Sequence, residues 1–186
     1  MEKRIQVDEH SVIYYWFDNQ YQEKLRALDK QSVERQAIRE VLLKLHPTIV
    51  LERKENGAPS IKDEVYEFIS ISHAKGWYAV YLSTNSPVGV DIQTPKKSLL
   101  KGKDYFINSR EENFTKEDFN LHLIWCGKEA VFKKMNGLID DLKEEVSTVE
   151  LNTKENEIKM VYNNKIEISH YLSTSDFVLV WTMSSK

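Results

Sequence analysis

The chain has 186 residues, 41% hydrophobic and 30% charged, the balance of a folded globular protein, which excludes wholesale disorder. A formal net charge of −3 leaves no basic footprint for nucleic acid, and no apolar run is long enough to span a bilayer. Its one cysteine, Cys126, excludes an internal disulfide, and Met1 to Gln6 lacks the apolar stretch of a signal peptide, so a cytoplasmic protein is expected.

Ser11 to Phe17 is β-branched and aromatic and predicts a strand. Ser32 to Leu45 places Val33, Ala37, Val41 and Leu45 at helical spacing. Ser32 is the expected cap of that helix and Pro47 its stop. A strand over Thr48 to Arg53 should precede a turn at Asn56-Gly57-Ala58-Pro59. Tyr66 to Ser72 and Trp77 to Leu82 read as two strands around a polar turn holding His73, Lys75 and Gly76. Asn85-Ser86-Pro87 then divides the chain into an expected N-terminal half, 1–86, and a C-terminal half, 87–186.

The second half opens with a strand at Val88 to Gln93 and a basic loop holding Lys96, Lys97, Lys101 and Lys103. A short helical stretch is expected around Arg110 to Asn113. The main helix should run from Asp118, as cap, to the stop signal Asn136-Gly137. Ser147 to Leu151, Ile158 to Tyr162, Ile166 to Leu172 and Phe177 to Met183 predict closing strands, with Asn163-Asn164 as a tight turn. Helices set among meandering strands predict an α+β fold.

Two segments carry the chemistry. Alternation along the first strand buries Val88, Val90 and Ile92 and projects Gly89, Asp91 and Gln93 from the other face. In the main helix Trp125, Glu129 and Lys133 fall four apart and share a face. Asp91 and Glu129 are therefore candidates to chelate one hard divalent cation. Lys133, one turn beyond, could meet a phosphate bound to that cation. The pattern points to chemistry on a phosphate ester. Trp125, Phe114, Phe119, Phe132 and Cys126 read as packing residues.

A G-V-D strand followed by a helix reading W-x-x-K-E-A-x-x-K, here Trp125 to Lys133, resembles the signature of the 4′-phosphopantetheinyl transferases. These enzymes move the phosphopantetheine arm of coenzyme A onto a serine of a carrier protein. The length resembles that of their larger class, which implies a monomer of two similar α/β halves forming a pseudo-dimer, with the active site in the cleft between them. By resemblance Asp91, Glu129 and Lys133 are the catalytic set, and Asp91 and Glu129 bind Mg²⁺. Gln93 stands where many relatives carry a third acidic ligand; its amide oxygen could coordinate, or leave the place to water. Ile69-Ser70-Ile71-Ser72-His73 resembles the family's S-x-S-H segment, which implies that His73, with Ser72, contacts the 3′-phosphate of coenzyme A. Arg39, near the end of the family's helix motif, is a further candidate for the adenosine diphosphate. Asn56 to Pro59 resembles the family's N-G-K-P turn, but Ala58 replaces its lysine, and Lys54 or Lys62 could compensate.

The resemblance implies transfer from coenzyme A to an apo-acyl or peptidyl carrier protein, with release of 3′,5′-ADP and with Mg²⁺ as cofactor. Carrier proteins are usually acidic, so the lysine loop is a candidate approach surface. Ala58 and Gln93 motivate an alternative, a degenerate module that binds coenzyme A or a carrier protein without transfer. A Mg²⁺-dependent phosphoester hydrolase is another.

Overall fold

Two antiparallel sheets and two long helices account for most of the described residues, 1–95 and 98–183, of the computed structural model. The fold is α+β. The first sheet has the order β1-β2-β6-β5, from β1 (Lys3–Asp8), β2 (Ser11–Phe17), β5 (Phe68–Ala74) and β6 (Trp77–Ser83). Between β2 and β5 the chain forms α1 (Tyr21–Ala27), α2 (Lys30–Leu45) and a hairpin of β3 (Val50–Arg53) with β4 (Pro59–Lys62). The second sheet has the order β7-β11-β10-β9-β8, from β7 (Gly89–Gln93), β8 (Val146–Asn152), β9 (Glu157–Tyr162), β10 (Lys165–Ser173) and β11 (Val178–Thr182). Its helices are α3 (Ser98–Lys101), α4 (Asp118–Met135) and α5 (Leu142–Glu145).

Alternation along the strands sorts the core into layers. Val12, Tyr14, Trp16, Tyr78, Val80 and Leu82 face the apolar stripe of α2. Their neighbours Ile13, Tyr15, Ala79 and Tyr81 point the other way and meet Val90, Ile92 and Leu179 of the second sheet, with Phe177 just ahead of β11. Val178 and Val180, one register step over, pack with Cys126, Ala130 and Val131 of α4. The order is therefore helix, sheet, sheet, helix.

Several boundaries differ from the sequence expectation, each for a local reason. The cap of α2 is Asp29, not Ser32: its extended backbone lets the carboxylate accept from the Ser32 amide at 3.0 Å and the Ser32 hydroxyl at 2.6 Å. Asp118 is the first residue of α4 rather than its cap, and Glu117 precedes it. The helix ends as expected, with Asn136 left-handed at φ 54°. Asn163 and Asn164 both have positive φ, which suits the β9–β10 hairpin. Strand β1 and helix α1 have no counterpart in the sequence reading. Phe132, expected in the core, stands exposed on α4. Among the described residues, no helix is long and apolar enough to cross a membrane.

Candidate active site at the seam of the two sheets

Strand β5 lies along the outer edge of β7, and two serines join them. Ser70 Oγ accepts the Val90 amide at 3.0 Å, and Ser72 Oγ accepts the Ile92 amide at 3.1 Å. These are amides that β7 presents away from its β11 partner, so the hydroxyls satisfy an otherwise unpaired edge. Ser72 spends its own proton on Asp91 Oδ1 at 2.7 Å. The Ser-x-Ser spacing is thus a structural splice as well as a motif.

Asp91 is buried on the face of β7 that meets α4. Its Oδ1 also receives Lys133 Nζ at 2.7 Å, and its Oδ2 receives Gln93 Nε2 at 3.3 Å. Lys133 donates in addition to the Val90 carbonyl at 3.1 Å. The Cys126 thiol bonds Asp91 as well; burial first, then that acid, push the thiol pKa well up. A buried, protonated thiol is a packing group rather than a nucleophile.

Glu129 is one helical turn from Lys133 on α4 and accepts no hydrogen bond from a described residue. Burial pushes its carboxyl pKa up, Asp91 adds to the rise, and Lys133 opposes it. A buried acid whose charge Asp91 disfavours, and which has no donor among the described residues, fits a hard cation, which would offset both the burial and the repulsion. Asp91 and Glu129 could hold that ion. Gln93 contributes its amide here rather than a third carboxylate.

The approach of β7 to α4 sets this geometry. A Cβ added at Gly89 would lie 1.8 Å from the Ala130 carbonyl oxygen and 3.0 Å from the Lys134 amide nitrogen. Only glycine lets the strand pass that close, which brings Asp91 within reach of Lys133. Lys128, next to Glu129, turns inward instead. It is fully buried against Glu111 at 2.7 Å, with both side chains 0% exposed. Its Nζ also donates to the Phe106 carbonyl at 2.7 Å and the Lys143 carbonyl at 3.1 Å. Glu111 in turn accepts the Asn108 amide at 3.1 Å and the Thr148 amide at 2.6 Å. This pair locks the rotation of α4.

A cleft of about 410 Å³ opens beside Lys133. Its walls are the β3–β4 turn with Lys54 and Ala58, the start of β5 with Phe68 and Ile71, and the end of α4 with Phe132. Asn56 closes one end, its amide donating to the Asn136 carbonyl at 3.0 Å. Lys54 is on the cleft wall, whereas Lys62 is paired with Glu52 at 2.7 Å.

His73 follows Ser72 at the end of β5, with its Nδ1 3.1 Å from Glu34 Oε1. Burial pushes the ring pKa down; Glu34 opposes, and Lys133, Lys30 and Asp91 also act on it. The structure therefore brings Ser72, His73, Asp91, Glu129 and Lys133 to one seam, with Lys54 on the adjoining cleft. Arg39 is not brought there. Five residues beyond Glu34 at about 100° per residue, it is turned well away from His73 and lies exposed. Lys101 and Lys103 are exposed, near Leu100 and an 87% exposed Tyr105, while Lys96 and Lys97 lie outside the described residues.

Sequence reasoning passed over Glu34 and Glu111. For Glu34 a signal existed: it interrupts the apolar stripe Val33, Ala37, Ile38, Val41 and is itself buried. An acid inside such a stripe calls for a partner. Glu111 gave no comparable signal, because Lys128 and Thr148, two of its partners, come from distant elements. In comparisons with known proteins, no protein-family model matches the chain and no curated protein matches it.

Proposed function

We propose that this chain transfers the 4′-phosphopantetheine arm of coenzyme A to a serine of an apo-acyl or peptidyl carrier protein, with Mg²⁺ as cofactor. In this reading it is a cytoplasmic monomer of two similar halves, 1–86 and 87–186, forming a pseudo-dimer across the β5–β7 seam. The observation that carries the reading is the meeting of two sequence motifs at that seam. Ser72 of the S-x-S-H segment bonds Asp91 of the G-V-D strand, which bonds Lys133 of the K-E helix. The adjoining cleft has lysines at its edge and apolar walls, which suits a ligand with a charged diphosphate and an uncharged arm.

Asp91 and Glu129 would hold Mg²⁺, with Gln93 beside them; when bound, the ion neutralises charge on the diphosphate. Lys133 is half-buried and can exchange its Asp91 contact for a phosphate oxygen. There it stabilises the departing 3′,5′-ADP. Glu129, one helical turn from Lys133, accepts the proton of the carrier serine. The serine oxygen bonds the β-phosphorus as the bond to the ADP oxygen breaks. His73 meets the 3′-phosphate. Lys54 supplies a cation near the place that Ala58 leaves neutral. Leu100, Lys101, Lys103 and Tyr105 offer a basic and apolar surface for an acidic partner.

Intact-mass measurement of a panel of apo-carrier proteins after incubation with the protein, coenzyme A and Mg²⁺ tests this. A gain of one phosphopantetheine on at least one carrier, lost in Asp91→Ala, is expected. Coenzyme A binding with no gain on any carrier would favour the binding module, and coenzyme A cleavage without an acceptor would favour the hydrolase.

A further inference from the structure

One buried acid has no part in the reaction as described. Glu34 projects from α2 with its side chain only 8% exposed, and its Oε1 faces His73 Nδ1 at 3.1 Å. Tyr21 Oη donates to the same oxygen at 3.4 Å, and Lys30 Nζ lies 3.7 Å from it. A carboxylate at one ring nitrogen sets the tautomer and the aim of the other. Here the Nδ1 proton points to Glu34, so Nε2 faces away from it.

We propose that Glu34 is a positioning residue, which orients His73 and supplies the counter-charge that lets the ring bind a phosphomonoester dianion as an imidazolium. This rests on the coenzyme A reading, in which that dianion is the 3′-phosphate. The charged groups acting on the ring are Glu34 and Lys30 from α2, Lys133 from α4 and Asp91 from β7. The Tyr78 ring of β6 packs against it at 6.3 Å. In the free protein burial keeps the imidazole neutral toward lower pH than usual. A dianion at Nε2 reverses the balance: a proton enters from solvent onto Nε2, and the ring then lies between two anions, the phosphate and Glu34.

Calorimetric titration with coenzyme A and with dephospho-coenzyme A, in buffers of different ionisation enthalpy, tests this. At about pH 7.5 the wild-type protein should take up about one proton with coenzyme A and none with dephospho-coenzyme A. Glu34→Gln keeps an acceptor for Nδ1 and removes the charge. It should lower the preference for coenzyme A over dephospho-coenzyme A about tenfold, abolish the uptake, and leave dephospho-coenzyme A affinity unchanged. Equal weakening of both ligands would make Glu34 a structural acid only and overturn the proposal. If Glu34→Gln does not fold, the wild-type uptake decides alone, and its absence overturns the proposal. A wild-type protein that binds neither ligand brings down the coenzyme A reading itself, and this inference with it.

Discussion

Asp91 and Glu129 present the same functional group to the same space, but their surroundings differ. Asp91 is held by Ser72, Lys133 and Gln93, so its charge is compensated by donors built into the fold. Glu129 has no such donors among the described residues, and burial with Asp91 nearby raises its pKa above the ordinary value near 4.5. The folded protein therefore binds the Glu129 proton more tightly than the unfolded chain does. As pH rises from about 4.5 through the raised folded pKa, this group withdraws stability, and the deficit persists above that window. Glu129→Gln should accordingly raise the thermal midpoint of the metal-free protein at neutral pH, with the difference from wild type closing as pH approaches about 4. The same variant should lose any stabilisation by Mg²⁺. Thermal unfolding at both pH values, with and without the ion, reads both effects. A variant less stable than wild type at neutral pH would mean that the attraction of Lys133 outweighs burial.

The β7–α4 pair carries these residues, and its spacing depends on backbone contact at Gly89. Ala at this position meets the Ala130 carbonyl oxygen at 1.8 Å, and neither backbone can step aside without moving Asp91 or Glu129. Gly127 on the same helix is a useful contrast. A Cβ there meets Met160 Cε at 2.1 Å, the end of a flexible side chain, and alanine gains up to about 1 kcal/mol of helix propensity in return. Gly89→Ala should cost about 3 kcal/mol or more in urea unfolding, and Gly127→Ala much less. Similar costs would place the strain elsewhere. Most of these elements were legible in the sequence, because their apolar periods are long and their stop signals strong. Helix α1 was not: its seven residues bury only Tyr21, too few for a period. Strand β1 does alternate, Ile5 and Val7 against Arg4, Gln6 and Asp8, but it is a mostly exposed edge with two apolar residues. Motif spacing pointed to Asp91, Glu129, Lys133 and His73. The second partners were out of reach, because the pairs Glu34–His73 and Glu111–Lys128 depend on how α2 and α4 dock.

At the scale of the molecule, two different attachments hold the sheets together at the seam. One is apolar: Ile13, Tyr15, Ala79 and Tyr81 packed on Val90, Ile92, Phe177 and Leu179. The other is polar: the Ser70 and Ser72 hydroxyls on the amides of β7. Their magnitudes differ. Large apolar side chains contribute about 1.5–3 kcal/mol each on full burial, so the shared core outweighs the two hydroxyls several-fold. Removing a hydroxyl nonetheless leaves a buried amide unpaired, at about 1–3 kcal/mol each. The double variant Ser70→Ala, Ser72→Ala should therefore lose about 2–6 kcal/mol and still unfold in one transition. Tryptophan fluorescence and far-ultraviolet circular dichroism should remain coincident in urea. Trp16 and Trp77 report the first sheet, and Trp125 and Trp181 the second sheet and its helix. Separate transitions would mean that the serines, rather than the shared core, couple the two sheets. The single variants differ in what they do to the site. Ser70→Ala removes only a splice, whereas Ser72→Ala also takes from Asp91 Oδ1 a donor that shares it with Lys133. Lys133 should then be held more tightly and be slower to leave for a phosphate. Under the proposed function, transfer activity should accordingly fall further in Ser72→Ala than in Ser70→Ala at equal loss of stability. Equal falls would make the seam a matter of stability alone.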